Sequence, residues 1–193
     1  MREPMPETPR LVLRKIVKGD ADDIVRIYSD EGMFTYTNSD MDLNADPFVV
    51  ETQRVRKWIE AWEADQELMC WGIELKSEKK LIGRVYLYGF VGNETAGYRV
   101  DIGYSLSGLY AGNGYATEAV RRVVEYGFSC LNIVRFQAEI IPENIASIKV
   151  CEKNGFRNEG VLRKYAFYDN NGNCFRDVVM MALTEEGGKR VAK

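Results

Sequence analysis

From Ser107 to Glu118 the chain reads Ser-Gly-Leu-Tyr-Ala-Gly-Asn-Gly-Tyr-Ala-Thr-Glu. These glycines and small side chains suit the presentation of backbone N–H groups to an anion. Small residues at a strand-to-helix turn leave such donors uncovered, and the positive end of the helix dipole adds to them. No acidic side chain in this turn precedes Glu118. The pattern predicts a phosphate group on a helix N-terminus, against Gly112, Asn113, Gly114, Tyr115, Ala116 and Thr117. A tight turn that needs glycine for its backbone angles is the plainer reading of the same residues. A P-loop is excluded, because no Gly-Lys-Ser/Thr follows. The chain contains no histidine, so proton transfer falls to carboxylate, tyrosine, cysteine or water.

The elements around this turn are legible from periodicity. In the preceding strand Tyr98, Val100, Ile102 and Tyr104 alternate with Arg99, Asp101, Gly103 and Ser105, the period of a pleat. The helix that follows, 116–130, puts Ala116, Ala119, Val120, Val123, Val124 and Phe128 on one stripe, with Glu118 and Arg122 a turn apart on the wet side. Strand Ile133 to Ile140 sets Val134, Phe136, Ala138 and Ile140 opposite Arg135, Gln137 and Glu139. Strand, helix and strand at this distance imply a right-handed crossover and parallel pairing. Upstream, a short strand Leu11 to Arg14 precedes a helix capped by Asp20, with Ile24, Ile27 and Tyr28 at helical spacing. A loop is expected over Gly32 to Pro47. A second helix then aligns Val55, Trp58, Ile59 and Trp62. Cys70 to Leu75 and Leu81 to Phe90 form a strand pair, and Gly92 to Gly97 a second turn. Val161–Tyr168 and Cys174–Leu183 form the last hairpin, turning at 169–173.

Composition bounds the function without naming it. At 193 residues and 46% hydrophobic, the chain is expected to be a single domain, with a core over about 9–183 and a polar tail 184–193. A net charge of −3 and the lack of a basic stripe argue against a nucleic-acid partner. No apolar run reads as a signal peptide or a membrane span, so no membrane partner is expected and the location is cytoplasmic. Cys70, Cys130, Cys151 and Cys174 are widely spaced. They read as buried free thiols in a reducing compartment, with no metal.

Five motifs in order resemble the GNAT superfamily of acyl-CoA-dependent N-acyltransferases. They are Pro9-Arg10-Leu11-Val12-Leu13-Arg14, then Gly112-Asn113-Gly114-Tyr115-Ala116-Thr117-Glu118-Ala119, Asn144-Ile145-Ala146-Ser147, Glu152-Lys153-Asn154-Gly155-Phe156 and Phe175-Arg176-Asp177-Val178. The resemblance is to the branch of ribosomal-protein N-terminal acetyltransferases and spermidine N-acetyltransferases, and it spans about residues 9 to 183. It implies an α/β (α+β) GNAT fold: a mixed, mostly antiparallel sheet of six to seven strands, a central parallel pair, and about four helices over both faces. It also implies acetyl-CoA as cosubstrate, without a metal, and direct attack of a primary amine on the thioester.

Site roles follow from the same resemblance. The pyrophosphate falls on Gly112 to Thr117, and the pantetheine arm lies along the backbone of Tyr104, Ser105 and Leu106 where the parallel strands splay. Asn144 hydrogen-bonds that arm or caps the helix through the amide near Ser147. Asp101 is the first candidate base, through water, unless it only pairs with Arg99; Glu139 is the reserve. The slot that often holds a tyrosine acid is Cys151, read either as a proton donor or as a small core residue, with Ser147, Tyr104 and Tyr165 as other donors. Leu109 stands where the pattern often has Gln or Arg. Acidic residues between Asp20 and Glu51 read either as a solvated face or as a negative mouth for a cationic amine acceptor, with Phe34, Tyr36, Tyr86 and Tyr88 read as its lining or as core packing. That acceptor is a protein or peptide N-terminus, with a polyamine (spermidine) or an aminoglycoside as alternatives. A non-catalytic CoA-binding regulator is the reading from another class. Exposed apolar residues on the first two helices or the last hairpin would suggest a homodimer.

Overall fold

In the computed structural model, which describes residues 7–28, 36, 52–65, 68–168 and 174–185, one sheet carries the whole architecture. The strands are β1 (Leu11–Arg14), β2 (Met69–Leu75), β3 (Lys80–Asn93), β4 (Gly97–Leu106), β5 (Ile133–Ile140), β6 (Arg157–Tyr168) and β7 (Cys174–Thr184). The helices are α1 (Ala21–Tyr28), α2 (Thr52–Ala64), α3 (Tyr115–Cys130) and α4 (Ile145–Lys153). The strand order is β1-β2-β3-β4-β5-β7-β6. Every neighbouring pair is antiparallel except β4 with β5, which is parallel. The sheet is thus seven-stranded and mixed, with the parallel pair at its centre and α3 as the crossover.

Two apolar clusters clamp the sheet. On one face Ala119, Val120, Val123 and Val124 of α3 meet Leu13, Ile73, Val85, Leu87, Val100, Ile102 and Phe136. On the other, Ile24, Ile27 and Tyr28 of α1 and Val55 and Ile59 of α2 close over Leu81 and Ile16. Each buried aliphatic side chain here contributes about 1.5–3 kcal/mol by leaving water. On β4 burial reaches one polar position: Asp101 is only 8% exposed, covered by Gln137 and by the close approach of Gly89.

Several local expectations are corrected. Asp20 does not cap α1. It closes a short 3₁₀ turn, accepts the Val17 N–H at 2.8 Å, and takes both terminal nitrogens of Arg14 at 2.8 Å each. Glu118 and Arg122 are only partly exposed: Glu118 turns to Thr8 and Arg10, and Arg122 to Glu125. The pairing of β4 and β5 slips between Tyr98 and Arg99. Ile133 therefore enters the core at 1% exposure and Val134 faces out at 36%. β3 runs past Phe90 to Asn93 and narrows the second turn. Of the four free cysteines only Cys151 is buried; Cys130 and Cys174 are exposed. The loop over 32–47 (Tyr36 apart), the hairpin tip 169–173 and the tail from 186 lie outside the described residues. No described helix is long and apolar enough to cross a membrane.

Candidate active site

β4 and β5 pair only from Tyr98 to Asp101, the last rung being Asp101 with Gln137. β4 then continues to Leu106 against β3, and β5 to Ile140 against β7. The two strands therefore part, and Tyr104, Ser105 and Leu106 border the gap on the β4 side. A strand edge without a neighbouring strand offers N–H and C=O groups to an extended, amide-bearing ligand.

At the open end of β4 the Ser107 N–H bonds the Ile82 carbonyl at 2.9 Å, fixing where the chain leaves the sheet. Asn113 then organises the loop: its side-chain amide donates to the carbonyls of Tyr110 at 3.2 Å and Ala111 at 3.1 Å. Gly112 and Gly114 have φ of 78° and 79°, the left-handed region where glycine is favoured. A Cβ on Gly112 would project into open space. Gly114 caps α3, whose first-turn N–H groups remain without intrahelical partners. Leu109, 87% exposed, contributes no polar group. From the far end of the chain Arg10 lies over the Tyr115 ring at 4.5 Å and donates to the Asn113 carbonyl at 2.9 Å.

Beneath the gap, α4 begins with Asn144 as cap, its Oδ1 accepting the Ser147 N–H at 3.1 Å. The Tyr104 hydroxyl reaches α4 from β4. It donates to the Ser147 carbonyl at 3.0 Å and lies 2.8 Å from Ser147 Oγ and 3.5 Å from Cys151 Sγ. Tyr104, Ser147 and Cys151 thus form one polar cluster, which the sequence did not predict. Burial pushes the Cys151 thiol up to about 11, and burial and the nearby thiol hold the Tyr104 phenol well above its usual value. Both stay protonated near neutrality. Asn154, nearly fully buried, ties α4 to α3 by donating to the carbonyls of Val150 at 2.8 Å and Thr117 at 3.2 Å.

The opposite face of the splay carries the carboxylates. Asp101 Oδ1 accepts from Gln137 Nε2 at 2.8 Å, and Arg99 stands 3.9 Å from Oδ2. Burial raises the Asp101 carboxyl, while Gln137 and Arg99 oppose the rise. Glu139, two positions beyond Gln137, is raised by burial and then by the charge of Asp101, and it takes a hydrogen bond from Tyr165. Gly89, at φ 62°, is required here, since a Cβ would come within 2.6 Å of Asp101 Oδ2. The Tyr86 and Tyr88 rings, 5.7 Å apart, extend this floor, with Tyr88 directly opposite Asp101 across the β3–β4 ladder. The fold therefore gathers Asp101 and Glu139 on one side of the gap and Cys151, Ser147 and Tyr104 on the other. Gln137 and Gly89 were missed; a glutamine beside a predicted acid was the one sequence signal for them.

Comparison with known proteins agrees with this geometry. Residues 10–157 match the family described as Acetyltransferase (GNAT) domain. The chain is 32% identical over 173 residues to the uncharacterized N-acetyltransferase YoaA of Bacillus subtilis, covering 87% of this chain and 94% of that one. Among solved structures it resembles Mycobacterium smegmatis RimJ in complex with CoA-disulfide (TM-score 0.80, 22% identity, 94% of this chain and 88% of that one). It also resembles the Vibrio cholerae spermidine N-acetyltransferase in complex with CoA and spermine (TM-score 0.73, 20% identity, 94% and 99%). At these identities the structural likenesses speak for the fold.

Proposed function

The chain belongs to the GNAT acetyltransferase family, and on that premise we propose that it acts in the cytoplasm as a single-domain enzyme moving acetyl from acetyl-CoA to the amine of a protein or peptide N-terminus. The observation that carries this reading is the parting of β4 and β5 immediately beyond Asp101. It sets an unfilled strand edge, a glycine turn and two carboxylates around one gap. The fit with the cosubstrate rests on that edge and on the open space at Gly112. The N–H groups from Gly112 to Thr117 would hold the diphosphate, the backbone of Tyr104, Ser105 and Leu106 would pair with the pantetheine arm, and Asn144 and Ser147 would flank it. When bound, acetyl-CoA supplies an activated acyl group on a thiol leaving group.

The residues around it divide the proton work. An amine near pKa ~10.4 arrives as ammonium, and it must lose a proton before it can attack. Asp101 takes that proton through water; burial raises its basicity and narrows the gap to the ammonium. Glu139, repelled by Asp101 and steadied by Tyr165, adds negative charge that draws the cation and stands as the reserve base. On the other face, the protonated Tyr104 hydroxyl, held by Ser147, is placed to return a proton to the departing thiolate. Cys151 sits behind that hydroxyl, fully buried and protonated, which suits a packing partner or secondary donor better than a nucleophile.

The peptide reading draws on exposed apolar surface of the last hairpin. Tyr165, beside Glu139, and Val161, Phe167 and Phe175, paired through the β6–β7 register onto the other face, are about half exposed, surface of the kind that suits the residues following an N-terminal amine. A polyamine is the second reading, supported by the paired carboxylates Asp101 and Glu139 facing an aromatic floor. Thiol release from acetyl-CoA should be followed with short peptides bearing free N-termini, with spermidine and with an aminoglycoside. Release with peptides alone supports the proposal. Release with spermidine alone replaces it with the second reading, and tight acetyl-CoA binding with no release from any amine favours a non-catalytic role.

A further inference from the structure

We infer that Arg10, at the start of β1, is a positioning residue of the cosubstrate site: it orients the Asn113–Gly114 peptide and neutralises Glu118 beside the diphosphate. The inference rests on the acetyl-CoA reading above and adds to the site a residue about a hundred positions away in the chain.

Orientation comes first. A peptide unit is planar and trans, so its C=O and N–H point in opposite directions. Arg10 Nη1 donates to the Asn113 carbonyl at 2.9 Å, which turns the Gly114 N–H away from Arg10. Asn113 Nδ2 does the same to the Ala111 carbonyl at 3.1 Å, turning the Gly112 N–H away in its turn. With the carbonyls gathered in this way, successive amides are left to form an anion nest at the start of α3. The Tyr115 ring, 4.5 Å from the Arg10 guanidinium, fixes the guanidinium from its flat side.

Charge comes second. Glu118 lies in the first turn of α3, where a bare carboxylate would repel the phosphates. Among the described residues its carboxylate bonds only to the N-terminal segment: Thr8 Oγ1 at 2.6 Å, the Arg10 N–H at 3.1 Å, Arg10 Nε at 2.7 Å and Arg10 Nη2 at 2.7 Å. Arg10 therefore cancels the one acidic charge at this helix start while holding the loop. Leu109, exposed and apolar, can do neither.

The test compares wild type with Arg10→Ala, Arg10→Lys and the double variant Arg10→Ala/Glu118→Gln. CoA affinity is read by calorimetry, and kcat/KM is measured with S-acetylpantetheine, an acyl donor that has no diphosphate. Losing a charge-assisted hold of this kind should weaken CoA by about tenfold in Arg10→Ala. Arg10→Lys keeps the charge but not the fork and should fall between. The double variant should recover part of the loss, because no unpaired carboxylate remains. Rates with S-acetylpantetheine, and kcat at saturating acetyl-CoA, should be unchanged. Unaltered CoA affinity in Arg10→Ala, or equal losses with CoA and S-acetylpantetheine, would overturn the inference. Failure of the wild type itself to bind CoA would instead remove the cosubstrate reading.

Discussion

Replacing Gln137 by leucine tests the assignment of the base without touching the base itself. Gln137 is 6% exposed, accepts weakly from Arg135 Nε at 3.4 Å and donates to Asp101 Oδ1 at 2.8 Å. Leucine has similar bulk but no donor, and Arg135 keeps its two bonds to Glu159 at 2.6 and 2.9 Å. A buried hydrogen bond to a charged acceptor is worth about 1.5–3 kcal/mol. At about 1.4 kcal/mol per factor of ten, the ionised fraction of Asp101 on the acid side of its titration should fall about ten- to a hundredfold. The measurement is kcat at saturating amine as a function of pH. The variant should lose about that factor on the acid limb and return to wild-type turnover on the plateau. Stability supplies the check on sign. Burial raises Asp101, so the native chain holds this proton more readily than the unfolded chain. The cost of ionising it is absent below the unfolded carboxyl's range and grows as pH rises through the folded value. Losing Gln137 enlarges that cost, so the variant should match wild type in acid and fall behind it towards neutrality. An unmoved acid limb, alongside this pH-dependent loss of stability, would refute Asp101 as the base.

Three other perturbations separate parts of the site and of the fold. Tyr104→Phe should lower kcat at least tenfold with acetyl-CoA binding intact, whereas Cys151→Ala should leave kcat nearly unchanged; the reverse order in steady-state kinetics would move the proton donor to Cys151. Gly114→Trp should abolish acetyl-CoA binding by filling the turn at a position that already needs a positive φ, and unchanged calorimetric affinity would remove the diphosphate assignment. Arg14→Ala leaves the buried Asp20 without its two 2.8 Å partners and Glu74 without its 2.6 Å one. A loss of about 2 kcal/mol is expected by chemical denaturation, below the value for a fully buried pair because Arg14 is partly exposed.

What the sequence made legible was local or periodic. β1 and β5 begin and end where the sequence placed them, and the Asn144 cap was visible because an Asn ahead of a helix can accept the backbone N–H three residues on. The parallel pair followed from the strand–helix–strand spacing. The errors share one cause, which is that a partner far along the chain overrode a neighbour. Glu118 was placed with Arg122 on the wet side, but Thr8 and Arg10 just ahead of β1 offered it four donors. Asp20 looked like a cap, but the Arg14 fork held it. Val134 and Ile133 exchanged places because an irregularity in the β4–β5 ladder shifts the pleat by one residue, which no propensity reveals. The burial of Asp101 was equally hidden, since alternation marks it as polar but not that Gln137 and Gly89 close over it.

The short rung between β4 and β5 has a mechanical meaning as well. β1 to β4 form one antiparallel leaf and β5, β7 and β6 another, and the sheet joins them only along Tyr98–Asp101. Beyond those rungs the leaves are joined through α3, which packs on both, and through the Tyr104 bond to Ser147 of α4. A ligand that bonds along the open edge acts as a missing seam. It would fasten the leaves into one cooperative body, slow amide exchange around Ile102–Leu106 and Ala138–Ile140, and sharpen thermal unfolding in proportion to its occupancy. The gap proposed to admit the acyl donor is thus also the shortest seam between the two leaves.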